Sequence, residues 1–260
     1  MNSKWAGAAA AAMVVGVGAM AAWQGVAAVF PSIPRFIAKA VADPKRPKED
    51  TDRDAERKPA EMLVFAQVKP GQRVVDFMPG GGYFTRLFAN AVGPKGRVYA
   101  FTPSELGKFV KEGPLPVNGS QPDKDRPNVF ALVAPVDIFA TPEPVDMVWT
   151  SQNYHDLHDP FMGPADMKVF DTAVFNALKP GGVFVVLDHA APDGSGVSDT
   201  NTLHRIDEAA VKSEVTSVGF VLDGESDVLR NPADPRNALV FDKSIRGHTD
   251  QFILRFRKPK

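Results

Sequence analysis

RVVDFMPGGGYFTRLFANAV, residues 73–92, joins a short apolar run to a helical pattern through three consecutive glycines. Arg73 to Phe77 is apolar at successive positions, as expected of a strand buried on both faces of a sheet. Phe84, Leu87, Phe88 and Ala91 recur at helical spacing and predict a helix with one packed face. Between them, Gly80, Gly81 and Gly82 stand where the chain must turn tightly and where bare backbone admits a ligand. A helix that begins there also presents unpaired N–H groups. A dinucleotide-type G-x-G-x-x-G fits poorly, because counting from Gly80 puts Thr85 where the third glycine belongs.

Further apolar runs extend this unit into a sheet. Arg97 to Phe101, Val145 to Thr150 and Val183 to Asp188 look like buried strands, and Val129 to Leu132 is a further candidate. Val169, Phe170, Ala173, Val174 and Leu178 mark another helix. Asn201 to Ser217 reads as helical, Gly219 begins a short strand, and Gln251 to Arg257 alternates as a last one. Strands alternating with helices argue for a parallel sheet covered on both faces, with a strand pair closing one edge. Residues 112–126 and 223–249 are polar and turn-rich, which suits loops.

With 260 residues and 44% apolar content, the chain can bury one large core. Its formal charge of -1 gives no global field for nucleic acid or an anionic membrane. The lack of cysteine excludes disulfides, thiolate metal sites and a thiol nucleophile. Lys4 followed by an uncharged Ala/Gly/Val/Met stretch from Ala6 to about Met20 has the layout of a signal peptide, with small residues for cleavage after Ala21 or Ala28. An uncleaved membrane tether is the alternative, since Ala6 to Phe30 is long enough to span a bilayer. Export to the periplasm is the leading expectation. The division expected is a signal or anchor over 1–28, a linker with a short helix over 29–50, and the main domain over 51–260. Within the middle piece, Ile33, Phe36, Ile37 and Ala40 share a helical side, and DPKRPKED at 43–50 suits a linker. Thr51 or Asp52 can then cap a helix towards Ala66 that Pro59 should kink or divide.

The stretch Asp76-Phe77-Met78-Pro79-Gly80-Gly81-Gly82 resembles the first motif of class I methyltransferases, with Met78 in place of the usual first glycine. PGGGYFT, QNYHDLHDP, LKPGG, DHAAPDGSG, LHRIDEAAVKSEV and the ending RGHTDQFILRFRKPK are similar to a bacterial family of predicted methyltransferases with N-terminal export signals, over about residues 47–260. The resemblance implies an α/β, Rossmann-like class I methyltransferase fold. Its sheet is mostly parallel and seven-stranded, with helices on both faces and an antiparallel C-terminal strand. It implies S-adenosylmethionine as cofactor, with Asp76, Pro79, Gly80, Gly81 and Gly82 beside the amino acid portion. Thr102 stands where the family carries the ribose-binding acid, so Thr102 or Glu105 would take that role, while Asp137 would meet the adenine and Asn153 is a further contact. LKPGG is the glycine turn that ends a helix and admits the next strand.

In an open parallel sheet, ligands bind outside the carboxyl ends of the strands, so Ser151 to Asp159 and Asp188-His189 should face one crevice. Three of the five histidines fall there. His155 is the leading general base, with Asp188 or Asp156 orienting it and Tyr154 shaping the pocket. His155, His158, Asp188 and His189 are groups a metal could use. No H-x-x-x-H or H-E-x-x-H spacing is present, and histidine argues against magnesium, so no metal is expected. His204, Arg205, Asp207 and Glu208 fall on one predicted helix, with His204 and Asp207 spaced to share a face. Lys243, Arg246, His248 and Asp250 precede the final strand and could reach the pocket. The leading reading is an S-adenosylmethionine-dependent methyltransferase with a small-molecule acceptor. A noncatalytic ligand-binding module on the same fold and a metal-assisted enzyme are the alternatives.

Overall fold

Period-two alternation along the strands lets one sheet carry two cores. In the computed structural model, which describes residues 32–108, 122–123 and 126–260, the strands are β1 (Arg73–Phe77), β2 (Arg97–Pro103), β3 (Pro122–Asp123), β4 (Arg126–Ala134), β5 (Val145–Ser151), β6 (Leu178–His189), β7 (Val221–Ser226) and β8 (Gln251–Arg257). They lie in the order β3-β4-β2-β1-β5-β6-β8-β7. Strands β4, β2, β1, β5 and β6 run parallel, and β8 is antiparallel to both β6 and β7. The sequence predicts seven strands. The eighth is β3, a two-residue edge piece antiparallel to β4, too short to leave an apolar signature.

The helices are α1 (Arg35–Val41), α2 (Lys48–Thr51), α3 (Asp54–Arg57), α4 (Pro59–Phe65), α5 (Tyr83–Val92), α6 (Met167–Ala177), α7 (Thr200–Leu203) and α8 (Glu208–Ser217). On one face of the sheet, Val75, Phe77, Phe101, Val148, Phe184 and Val186 pack with Phe170, Val174, Val211 and Val215 of α6 and α8. On the other, Val74, Val98, Met147, Trp149 and Val185 pack with Ile37, Met62, Leu63, Leu87 and Phe88 of α1, α4 and α5. Trp149 lies 4.7 Å from Phe84 and 5.6 Å from Phe88 between ring centroids, which fixes α5 over β5.

Three local expectations change. Residues 43–50 are not a linker: they belong to the same compact unit as the sheet, Arg46 and Asp50 are buried, and Asn90 Nδ2 of α5 donates to Asp43 at 2.6 Å. The helix expected over 51–66 is divided, as Pro59 requires, at left-handed Lys58, while Thr51 closes α2 instead of capping its successor. The helix expected over 201–217 is broken at His204, whose φ of 53° ends α7. Residues 205–207 then run extended, with a bridge between Ile206 and Ala190, and Asp207 caps α8 through a bond from Ala209 N. His204 and Asp207 therefore do not share a helical face.

The break has a nonlocal cause. Arg205 is fully buried and forms two bonds to Asp234, at 2.8 and 3.2 Å, and two more to the carbonyls of Ala190 and Ala238. These bonds pull 204–206 against the end of β6 and fasten the polar segment before β8. The expected N-terminal export or anchor segment and most of the 112–126 loop lie outside the described residues. No helix among the described residues is long and apolar enough to cross a membrane.

Replacing Asp234 by asparagine leaves a buried guanidinium without its counter-charge, a loss of about 3–5 kcal/mol. The expected outcome is a clearly lower urea midpoint for Asp234→Asn, against little change for Asp227→Asn, whose carboxylate is exposed.

Candidate active site

The carboxyl ends of β1, β5 and β6 open on one cavity of about 770 Å³. Three non-glycine residues with left-handed backbones surround it: Met78 after β1, Gln152 after β5 and His204 beside β6, with φ of 54°, 63° and 53°. A larger depression of about 1060 Å³ lies where β2 and β4 begin, around Gly96, Arg97 and Asn128. It sits at the strands' amino ends, whereas ligands of open parallel sheets bind at the carboxyl ends, and it lacks the glycine loop and the histidines.

Pro79, Gly80 and Gly81 line the cavity. Gly80 and Gly82 have φ of 54° and 79°, angles that favour glycine, and Gly82 is the residue from which α5 starts. Gly81 differs, because its φ is not left-handed and a Cβ there would meet nothing within 4 Å. Asp76, at the end of β1, is buried and accepts a bond from Thr85 Oγ1 at 2.5 Å. Burial pushes its carboxyl up to about 7, against the opposing hydrogen bond from Thr85 and the charge of Arg57. Asn153 Nδ2 donates to the carbonyls of Met78 at 3.0 Å and Ser151 at 2.7 Å, joining the loop after β5 to that after β1.

The opposite wall comes from residues 49–57, which straddle the end of the expected linker and the start of the expected helix. Glu49, Asp50, Arg53 and Arg57 face the cavity. Arg86 of α5 grips Asp50 through two bonds of 2.6 and 2.7 Å, and Arg46 grips Asp54 similarly at 2.6 and 2.8 Å. Tyr83 Oη donates to Asp54 at 2.7 Å. Arg57 lies over the Tyr83 ring, 4.8 Å from its centroid, and donates to Gln152 Oε1 at 3.0 Å. Burial, aided by Arg53, holds its guanidinium down at about 10. Composition alone conceals this wall. Its available signal is the spacing of Asp50 with Asp54 and of Arg53 with Arg57, a helical charge pattern in an otherwise polar stretch.

His155 is buried in the short 3-10 turn after β5. Its backbone N donates to Asp188 Oδ2 at 2.9 Å and its Nδ1 faces Asp188 Oδ1 at 2.8 Å. Nε2 points to His204 Nδ1 at 3.2 Å and Asp156 Oδ1 at 3.3 Å. Burial opposes charge on this ring, but Asp188 and Asp156 prevail and raise it to about 10. This pull towards the protonated form works against the general-base role expected of His155. Asp156 is held below its ordinary value by bonds from His155 and His204, against the pull of burial. His189, which also lines the cavity, is pushed down to about 4 by burial, and its Nδ1 meets Thr249 Oγ1 at 2.7 Å.

Not every expected residue reaches this site. Tyr154 is fully buried on the far side of the loop, where its hydroxyl meets Asp171 at 3.0 Å and Glu214 at 3.1 Å. Consecutive residues of a tight turn point apart, so placing His155 at the cavity sends Tyr154 into the α6–α8 core. His158 likewise faces Glu214, at 3.3 Å. Thr102, Glu105 and Asp137 do not line the cavity. Glu105 accepts a bond from Val136 N at 3.1 Å, and Asp137 is exposed in the 3-10 turn after β4. Lys243 and His248 are exposed, and Asp250 is occupied by Arg230 and Arg236, whereas Arg246 lines an annex sharing Arg57 and His189 with the cavity.

No protein-family model and no curated protein matches this sequence. Solved structures do match in shape. A methyltransferase dependent on S-adenosylmethionine from Aquifex aeolicus superposes with a TM-score of 0.53 at 18% identity, covering 81% of this chain and 95% of its own. The fold is the class I methyltransferase fold. One from Mesorhizobium loti gives 0.52 at 18% identity, over 79% and 100% of the two chains. The N-methyltransferase NodS from Bradyrhizobium japonicum gives 0.51 at 14% identity, over 82% and 99%. Within the class I fold, the cavity beside Gly80 and Gly81 lies at the end of the first strand.

The position of Tyr154 yields a direct check. Tyr154→Phe removes a buried hydroxyl shared between the carboxyl groups of Asp171 and Glu214 and should cost about 1–3 kcal/mol of stability. Ligand affinity at the cavity should stay within about twofold of the unmodified protein, as measured by denaturant unfolding beside calorimetric titration.

Proposed function

We propose that the chain is an S-adenosylmethionine-dependent methyltransferase that acts on a small polar molecule outside the cytoplasm. Gly81 carries the reading. Neither backbone angle nor protein neighbours require glycine there, yet the position borders the cavity between Asp76 and the start of α5. The missing side chain leaves room for a ligand against the loop. Asp76 and Arg57 line the same cavity and match the ammonium and carboxylate of the cofactor's amino acid portion. Thr102, Glu105 and Asp137 do not line this cavity, so a nucleoside half that met them would extend beyond it along the ends of β2 and β4. A volume of about 770 Å³ is that of a small-molecule site.

Transfer from a sulfonium requires little covalent help, so alignment of the acceptor and exclusion of water dominate. Asn153, Asp156, His189 and His204 supply the hydrogen-bonding groups on the acceptor side, and Arg53 adds a cation for an acidic acceptor. Lys4 and the uncharged stretch behind it support export. A reporter fused after residue 28 and active only once exported should give signal, and its silence would return the protein to the cytoplasm.

Titration of the full chain with S-adenosylmethionine should show saturable binding. Gly81→Val should weaken it more than tenfold while leaving the unfolding midpoint nearly unchanged. Binding should also track Asp76. Below about pH 7 its carboxyl keeps a proton and offers no charge to an ammonium group. Affinity should therefore rise several-fold between about pH 5.5 and 7, and Asp76→Asn should abolish that rise. Absence of binding by the folded chain, or a retained nicotinamide or flavin, would refute the proposal.

A further inference from the structure

His155 Nε2, His204 Nδ1 and Asp156 Oδ1 form a nearly equilateral triangle with edges of 3.2, 3.3 and 3.5 Å. Three donors on one face of a tetrahedron, each ~2.0–2.1 Å from a central ion, stand ~3.3–3.4 Å apart. From this match we propose that these three residues bind one divalent transition-metal ion of the zinc or ferrous type.

The surroundings support a metal centre over a chance meeting of polar groups. Asp188 takes His155 Nδ1 at 2.8 Å, which fixes the ring and leaves Nε2 directed at the triangle. A carboxylate behind a ligating histidine is the recurrent arrangement around protein metals, since it sets the tautomer and raises ligand basicity. Asp156 supplies negative charge at the site itself. Two imidazoles and one carboxylate disfavour magnesium and calcium, which take oxygen, and suit zinc or a facial iron site. His155, Asp156 and His204 all line the cavity, so an ion on the cavity side of the triangle would keep its remaining coordination positions open to a ligand, as in catalytic and not closed structural sites.

The triangle is invisible in the spacing of its members. His155 and Asp156 are neighbours, and His204 arrives 49 residues later through the break after α7. Metal binding stands independently of methyl transfer. One consequence does rest on that reading: an acceptor oxygen, nitrogen or sulfur atom bound at the open position would be held facing the cofactor.

The test uses the full chain, freed of metal by a chelator and titrated with Co2+, with visible absorption as readout. One Co2+ should bind per chain with the ligand-field bands of a low-coordinate site, and Zn2+ should displace it. His204→Ala and Asp156→Asn should each weaken Co2+ binding by at least tenfold, with circular dichroism confirming the fold. His158→Ala, whose ring faces Glu214, should bind as the unmodified chain does. A hydrogen-bonded trio only, seen as no saturable band or as unchanged affinity in His204→Ala, overturns the proposal. S-adenosylmethionine binding measured on the same samples separates the two readings: its loss with Co2+ binding intact removes the methyltransferase proposal alone, and the reverse removes the metal alone.

Discussion

A single buried carboxylate organises the functional end of the sheet. Asp188 has no exposure and accepts three bonds, from His155 N, His155 Nδ1 and His189 N. It stands near the end of β6, between β5 and β8, where both faces of the sheet are covered. Water cannot replace those donors there, so the loop after β5 must come to Asp188 and present both its backbone and its ring. His155 is oriented by that demand. Its second nitrogen is then committed to the side where Asp156 and His204 lie.

The cavity mouth unites two kinds of construction. The glycine loop is shaped by backbone geometry, with left-handed Gly80 and Gly82 turning the chain from β1 into α5. The facing wall is assembled from charges, with Arg46 and Arg86 clasping Asp54 and Asp50. Arg205 and Asp234 perform a similar service on the third side, where they replace apolar packing between a loop and the end of the sheet.

What could be recognised beforehand follows the range of the interactions involved. Apolar periodicity is local, and it located β1 and β8 with the bounds observed, Arg73–Phe77 and Gln251–Arg257. The glycine loop was equally legible, because turn and helix start are encoded in adjacent residues. His204 was not, since its helical propensity is overruled by contacts of Arg205 with Asp234 and Ala238, about thirty residues away. The sequence points Tyr154 to the cavity because it adjoins His155, and adjacency does not show that neighbouring side chains diverge. The cavity wall formed by residues 49–57 is not legible in the sequence, because composition records charge but not its partner, and Arg86 lies far along the chain.

The charged wall also separates inheritance of fold from choice of ligand. Its contribution to the cavity comes from residues 49–57, which precede β1 and supply no strand to the sheet. Exchange of Glu49 or Arg53 would alter the charge at the mouth, while the paired Asp50 and Asp54 keep the segment seated. The strand ends and the histidines behind them can thus be preserved while this segment diversifies. Related chains that share the sheet but accept different molecules should differ first in these few positions.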